Sequence, residues 1–92
     1  MEAEVQFSQH AREKLDDSAS RQLGISRERI IEVLRQPACI ETSDLPLVMA
    51  VGPLTSTLSL CVVYKLVGGG VRVITFFPAR RGRYEGKILP RG

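Results

Sequence analysis

Tryptophan is absent from this 92-residue chain and aromatic residues make up only 5% of it. The core therefore has to be built from Val, Leu and Ile, and few rings are left to stack on bases. That argues against an aromatic platform for single strands. With one histidine, His10, and two distant cysteines, Cys39 and Cys61, no zinc-ligand spacing is present, so neither a metal nor a cofactor is expected. Two thiols in a reducing compartment are expected to stay reduced and buried; the alternative is a disulfide between neighbouring strands. No stretch approaches the roughly 20 apolar residues that cross a bilayer. The first ten residues, MEAEVQFSQH, are acidic and polar where a secretory signal is basic and then apolar. The expectation is a cytoplasmic protein with no membrane partner.

What is present has an ordinary globular balance, 43% hydrophobic and 25% charged, at a length that suits one core and not two. One domain over residues 1–92 is expected. The net charge of +3 hides an asymmetry: residues 1–64 carry six Lys/Arg against nine Asp/Glu, and residues 65–92 carry seven against one. A one-sided basic segment is the electrostatic footprint of a phosphate-bearing partner, and equally of an acidic protein or a solvated rim.

Residues 4–7 alternate polar and apolar and predict a short strand, after which Ser8 has the side chain of a helix N-cap. A helix follows from about Gln9. Phe7, Ala11, Leu15 and Ala19 recur every four residues, with Leu23 continuing the row, which gives one buried stripe. Gly24 stops this helix. Ser26 caps a second, whose buried face is Ile30, Ile31, Val33 and Leu34 and which ends at Pro37. Beyond Pro37 the period shortens, and strands are predicted in Cys39 to Thr42, Leu47 to Val51, Thr57 to Val67 and Val71 to Phe77. Pro53, Thr55 and Ser56 mark one turn and Gly68-Gly69-Gly70 another, the latter a tight antiparallel hairpin, since a phosphate-cradling glycine loop leads into a helix. The fold class is α+β, with two N-terminal helices packed on an antiparallel sheet.

Chemistry concentrates in the run from Arg72 to Tyr84, where a strand is expected to deliver Arg72, Arg80, Arg81, Arg83 and Tyr84 to one end of the sheet. Arginine forks bind phosphate oxygens in pairs and stay charged at any relevant pH. Arg72, Arg80, Arg81, Arg83 and Lys87 are the nucleic-acid-binding candidates, within or just before a basic C-terminal segment 78–92. His10 is the side chain whose ordinary pKa suits proton transfer at neutral pH, with a surface histidine as the plainer alternative. Lys65 can join the basic surface or serve as an edge-protecting charge.

The chain resembles a small prokaryotic family of uncharacterised domains placed near the RelE/ParE toxin superfamily. The matching elements are Phe7-Ser8-Gln9-His10-Ala11, then Gly24-Ile25-Ser26 with Ile30, Val33, Leu34 and Pro37, and finally Val73-Ile74-Thr75 with Pro78, Arg80, Arg83 and Tyr84. The resemblance covers the chain nearly end to end through short motifs. It implies a RelE/ParE-like domain whose two helices lie against a curved antiparallel sheet of three to five strands. In the toxin relatives that sheet meets messenger RNA on the ribosome or blocks DNA gyrase. Three functions follow as expectations. The first is a toxin-like RNA-binding protein, in catalytic form a metal-independent messenger-RNA endoribonuclease with His10, Lys65, Arg81, Arg83 and Tyr84 at the phosphate. The second is a non-catalytic module whose arginines bind an acidic partner such as an antitoxin. The third is a gyrase inhibitor. Edge-to-edge pairing of the apolar hairpin strands would give a homodimer.

Overall fold

The structure, a computed structural model, describes residues 4–83. It is α+β. Strand β1 (Glu4–Phe7) is followed by helices α1 (Gln9–Leu15), α2 (Ser18–Gln22) and α3 (Arg27–Arg35), then by strands β2 (Cys39–Glu41), β3 (Val48–Pro53), β4 (Leu58–Val67) and β5 (Gly70–Arg80). The sheet order is β1-β5-β4-β3-β2. Strands β2 to β5 form the expected antiparallel meander, but β1 pairs parallel to β5. The sheet is therefore mixed, and it receives the first element of the chain before any helix. A parallel neighbour needs a crossover, and here the crossover comprises the three helices and the rest of the meander.

Three helices replace the two expected. The row Phe7, Ala11, Leu15, Ala19 and Leu23 is interrupted at Asp16-Asp17, because the carboxylate of Asp17 accepts the amide of Ser20 at 2.8 Å and starts a new helix. The interruption turns Ala19 to solvent and buries Ser20 in its place, with the Ser20 hydroxyl donating to the carbonyl of Lys14 at 2.7 Å. Those contacts with Ser20, the backbone one first, hold the Asp17 carboxyl below its ordinary value of 3.8. A depressed carboxylate pKa stabilises the fold above the unfolded-state value, and the contribution is lost as pH falls through the folded-state value. Acid titration followed by NMR is expected to show the Ser20 amide shifting as Asp17 protonates, at a pH below that of an unstructured aspartate.

Gly24, with φ +73°, closes α2. Its amide reaches Arg21 and that of Ile25 reaches Ser20, the two bonds of a Schellman stop, and Ile25 is buried beside them. Ser26 caps α3 by accepting from Arg29, and Ile30 and Val33 face inward. Val33 lies on Gly52 so closely that a Cβ there would stand 3.0 Å from its Cγ2.

The main core lies between helices and sheet and joins Phe7, Ala11, Ile25, Ile30, Val33, Leu60, Val62, Val73 and Phe76 with their neighbours. A smaller cluster, Met49, Val51 and Cys61, occupies the opposite face. Cys39 and Cys61 both pair with Val51, from either side, so they stand two strands apart and form no disulfide. Neighbouring strands are about 4.8 Å apart, and two such steps exceed the reach of a bridge. Strand β4 is flanked on both sides and the outer strands are β1 and β2, while β1 accompanies β5 only from Gly70 to Val73. Among the described residues no helix is long and apolar enough to cross a membrane.

Candidate nucleic-acid interface along β5

Strand β1 accompanies β5 only from Gly70 to Val73, and beyond that point α1 takes over the exposed edge. The Ser8 amide donates to Val73 O at 2.9 Å. Its hydroxyl donates to Ile74 O at 2.8 Å while accepting the amide of Ala11. Ser8 is thus both helix cap and edge clasp, and Ser8→Ala is expected to cost about 1–2 kcal/mol in urea denaturation, the upper part of the range for a lost cap. An irregularity opposite Val63 and Tyr64 leaves Ile74 without a cross-strand partner, as at a β-bulge, which sits where α1 replaces β1.

From successive turns of α1, His10 and Lys14 converge on Thr75. His10 Nε2 lies 3.2 Å from the Thr75 hydroxyl oxygen. The Lys14 ammonium lies 3.5 Å from the same oxygen, donates to Phe76 O, and stands 5.2 Å from the centre of the Phe76 ring. Spacing of four residues puts both groups on one helix face, and the hydroxyl between them can accept from the ammonium while donating to a neutral imidazole.

The arginines fall into two groups. Arg80 ends β5 and Arg81 and Arg83 follow it in a turn, all three exposed. The Arg81 amide bonds Thr57 O at 2.9 Å, and Gly82 has φ +85°. Arg81 and Gly82 line a shallow cleft of about 330 Å³ with Ala38 and Pro53. Arg72 lies at the other end of the strand, eight residues or about 26 Å away at strand rise. One end of the sheet therefore receives three of the four arginines. Arg72 is directly opposite Lys65 on β4, a juxtaposition of like charges that costs stability in the absence of an anion. It also lines a cleft of about 340 Å³ with Val5, Gln6, Phe7, Arg12 and Arg27. His10 meets β5 at Thr75, three residues along the strand from Arg72 and five from Arg80. Tyr84 and Lys87 lie outside the described residues.

Lys14, Thr75, Arg12 and Arg27 enter from the structure. The His10–Lys14 spacing was readable in the sequence, but Thr75 is 65 residues from His10 and belongs to an apolar run, so only the pairing of α1 with β5 brings it in. Burial raises the pKa of Tyr64. Among the described residues no three His, Cys, Asp or Glu side chains come together as a metal-binding group. Comparison with protein-family models, with curated proteins and with solved structures gives no match.

Proposed function

We propose that this domain is a toxin-like RNA-binding protein that tracks a single strand along β5. The observation that carries the reading is the charge of that part of the chain: residues 65–83 contain five Lys/Arg and no Asp/Glu, grouped at the two ends of β5, with Lys65 opposite Arg72 at one end and Arg80, Arg81 and Arg83 at the other, about 26 Å away. Two positive groups that far apart fit phosphates at both ends of a strand laid along β5, and the few rings at hand fit a grip on the backbone better than base stacking. The Lys65–Arg72 pair supports it, since an anion turns their repulsion into binding energy. In catalytic form, as a metal-independent endoribonuclease, His10 would take the 2′-hydroxyl proton as the 2′ oxygen bonds to phosphorus. Lys14 would face the charge on the phosphorane, and the departing 5′ oxygen would take a proton from water. The resemblance to the RelE/ParE superfamily points in the same direction.

The test is inducible expression in a bacterium of the wild type and of the Arg81→Ala/Arg83→Ala variant, with growth and messenger-RNA integrity followed together, alongside anisotropy titration of a labelled single-stranded RNA. The wild type is expected to bind with an affinity that falls steeply with salt. The variant, lacking two phosphate contacts, is expected to flatten the log–log salt slope by about 1.4 and to bind at least tenfold more weakly at low salt. Equal binding by both proteins would remove the C-terminal arginines from the interface, and growth arrest with intact RNA and inhibited supercoiling would replace the reading by gyrase inhibition.

A further inference from the structure

The second arginine group surrounds an open strand edge. In a parallel pair the hydrogen-bonding groups of alternate residues point to the same side, and Ser8 N–H is bonded to Val73 O on β5. The Glu4 carbonyl oxygen lies on that side too, 2.1 Å from where a Cβ on Gly70 would stand. Glu4, Gln6 and Ser8 therefore face β5, and Val5 and Phe7 direct their N–H and C=O groups outward. Among the described residues β1 is the outer strand on this side of the sheet. It carries no proline, bulge or lysine to discourage pairing.

Arg12, Arg27 and Arg72 flank this edge from three different elements, and the lining of the cleft contains no carboxylate. Arg27 stands 4.9 Å from the centre of the Phe7 ring, on the helix side of the sheet. Arg72 precedes the inward-facing Val73 and so projects from the opposite side. Among the described residues none of the three is in a salt bridge.

From this arrangement we propose that the β1 edge is a docking site for an acidic extended segment of a partner protein, which adds to the sheet as a sixth strand beside β1. The alternating N–H and C=O of Val5 and Phe7 match a peptide backbone, whereas a nucleic-acid strand has no such alternation to offer. Arginines on both sides of the edge match a strand with acidic residues at adjacent positions, one pointing to each side. A second copy of this chain is the wrong occupant, because pairing β1 to β1 would bring the same arginines of both copies together. The inference stands independently of RNA binding, although an acidic strand held at Arg72 would compete with RNA for that end of β5.

The test is titration of the 15N-labelled protein with a capped peptide Glu-Val-Glu-Asp-Val-Glu, with its Lys-for-acid counterpart and with a single-stranded RNA hexamer, read by chemical shifts and amide exchange. The acidic peptide is expected to bind at least tenfold more tightly than the lysine peptide and to slow exchange at the Val5 and Phe7 amides, leaving Gln6 and Ser8 as they were. Arg12→Glu/Arg27→Glu is expected to weaken binding at least tenfold. The new acid at position 27 sits in the first turn of α3, where a negative charge is tolerated. Val5→Pro, which removes an outward donor and spares the β5 ladder, is the second variant. Equal binding of the two peptides, protection elsewhere, or tighter RNA binding with the same amides protected would overturn the proposal, the last in favour of a phosphate site.

Discussion

Gly70→Ala is expected to lower stability by about 3 kcal/mol or more and to loosen β1 from the sheet. A Cβ at Gly70 would stand 2.1 Å from the carbonyl oxygen of Glu4 and 2.9 Å from its carbonyl carbon. Both are backbone atoms of the paired strand, with no rotamer to move them aside, so the strands must part. Separation would withdraw Phe7 from the core and break the parallel ladder, which places the cost at or above the upper end for overpacking. Gly69→Ala is the matched control: nothing lies within 4 Å of its Cβ and its φ is not positive, so its effect is expected within about 0.5 kcal/mol of zero. Urea denaturation of the two variants, with amide exchange at Gln6 and Ser8 as the local readout, checks both. Near-equal midpoints would mean that β1 yields to the added methyl without losing its register.

The triplet Gly68-Gly69-Gly70 also shows what a sequence can and cannot convey. All three glycines read as one flexible hairpin, and a hairpin forms there, but only Gly68 has a positive φ, at +55°. Gly70 is required by a strand 66 residues earlier in the chain, a contact on which local composition is silent. The same division holds elsewhere. Caps at Ser8 and Ser26 and the stop at Gly24 were legible because each is made within a few residues. The break at Asp16-Asp17 was hidden, because the apolar period runs straight through it and the capping bond of Asp17 to Ser20 outweighs one more helical turn. The parallel placement of β1 could not be read from a four-residue alternation. At the candidate site the arginines of β5 and the residues after it were visible as composition. Their division into two groups was not, since it depends on Pro78-Ala79-Arg80 continuing the strand past Phe77. Pro78 is tolerated there because β1 has already ended on that side and no ladder bond is lost. Arg12 and Arg27, scattered over two helices, became a group only when both were set against the β1 edge.

Phe76→Ala is expected to be the most costly of the simple core truncations, at about 3–5 kcal/mol. The side chain is fully buried and the largest of those that are. It pairs opposite Val62 on the sheet face covered by helices, so the cavity would open in the middle of the core, where the surrounding strands and α1 are tied by backbone bonds and can collapse only in part. A domain of this size has about 5–15 kcal/mol in all, so the variant should remain folded in buffer but unfold at a much lower urea concentration, with the dependence on denaturant unchanged if the transition stays two-state. Phe76→Leu keeps most of the volume and should cost clearly less. The neighbouring Phe77→Ala separates the two faces: Phe77 packs on the smaller cluster of Met49, Val51 and Cys61 and is only partly buried, so it should cost less than Phe76→Ala. The Phe76 ring also lies under the Lys14 ammonium. Its removal should therefore shift the resonances of Lys14, His10 and Thr75 while leaving those of Arg81 and Arg83, at the far end of the strand, in place. A loss of stability for Phe77→Ala as large as for Phe76→Ala would mean that the smaller cluster carries as much of the fold as the helix-covered core.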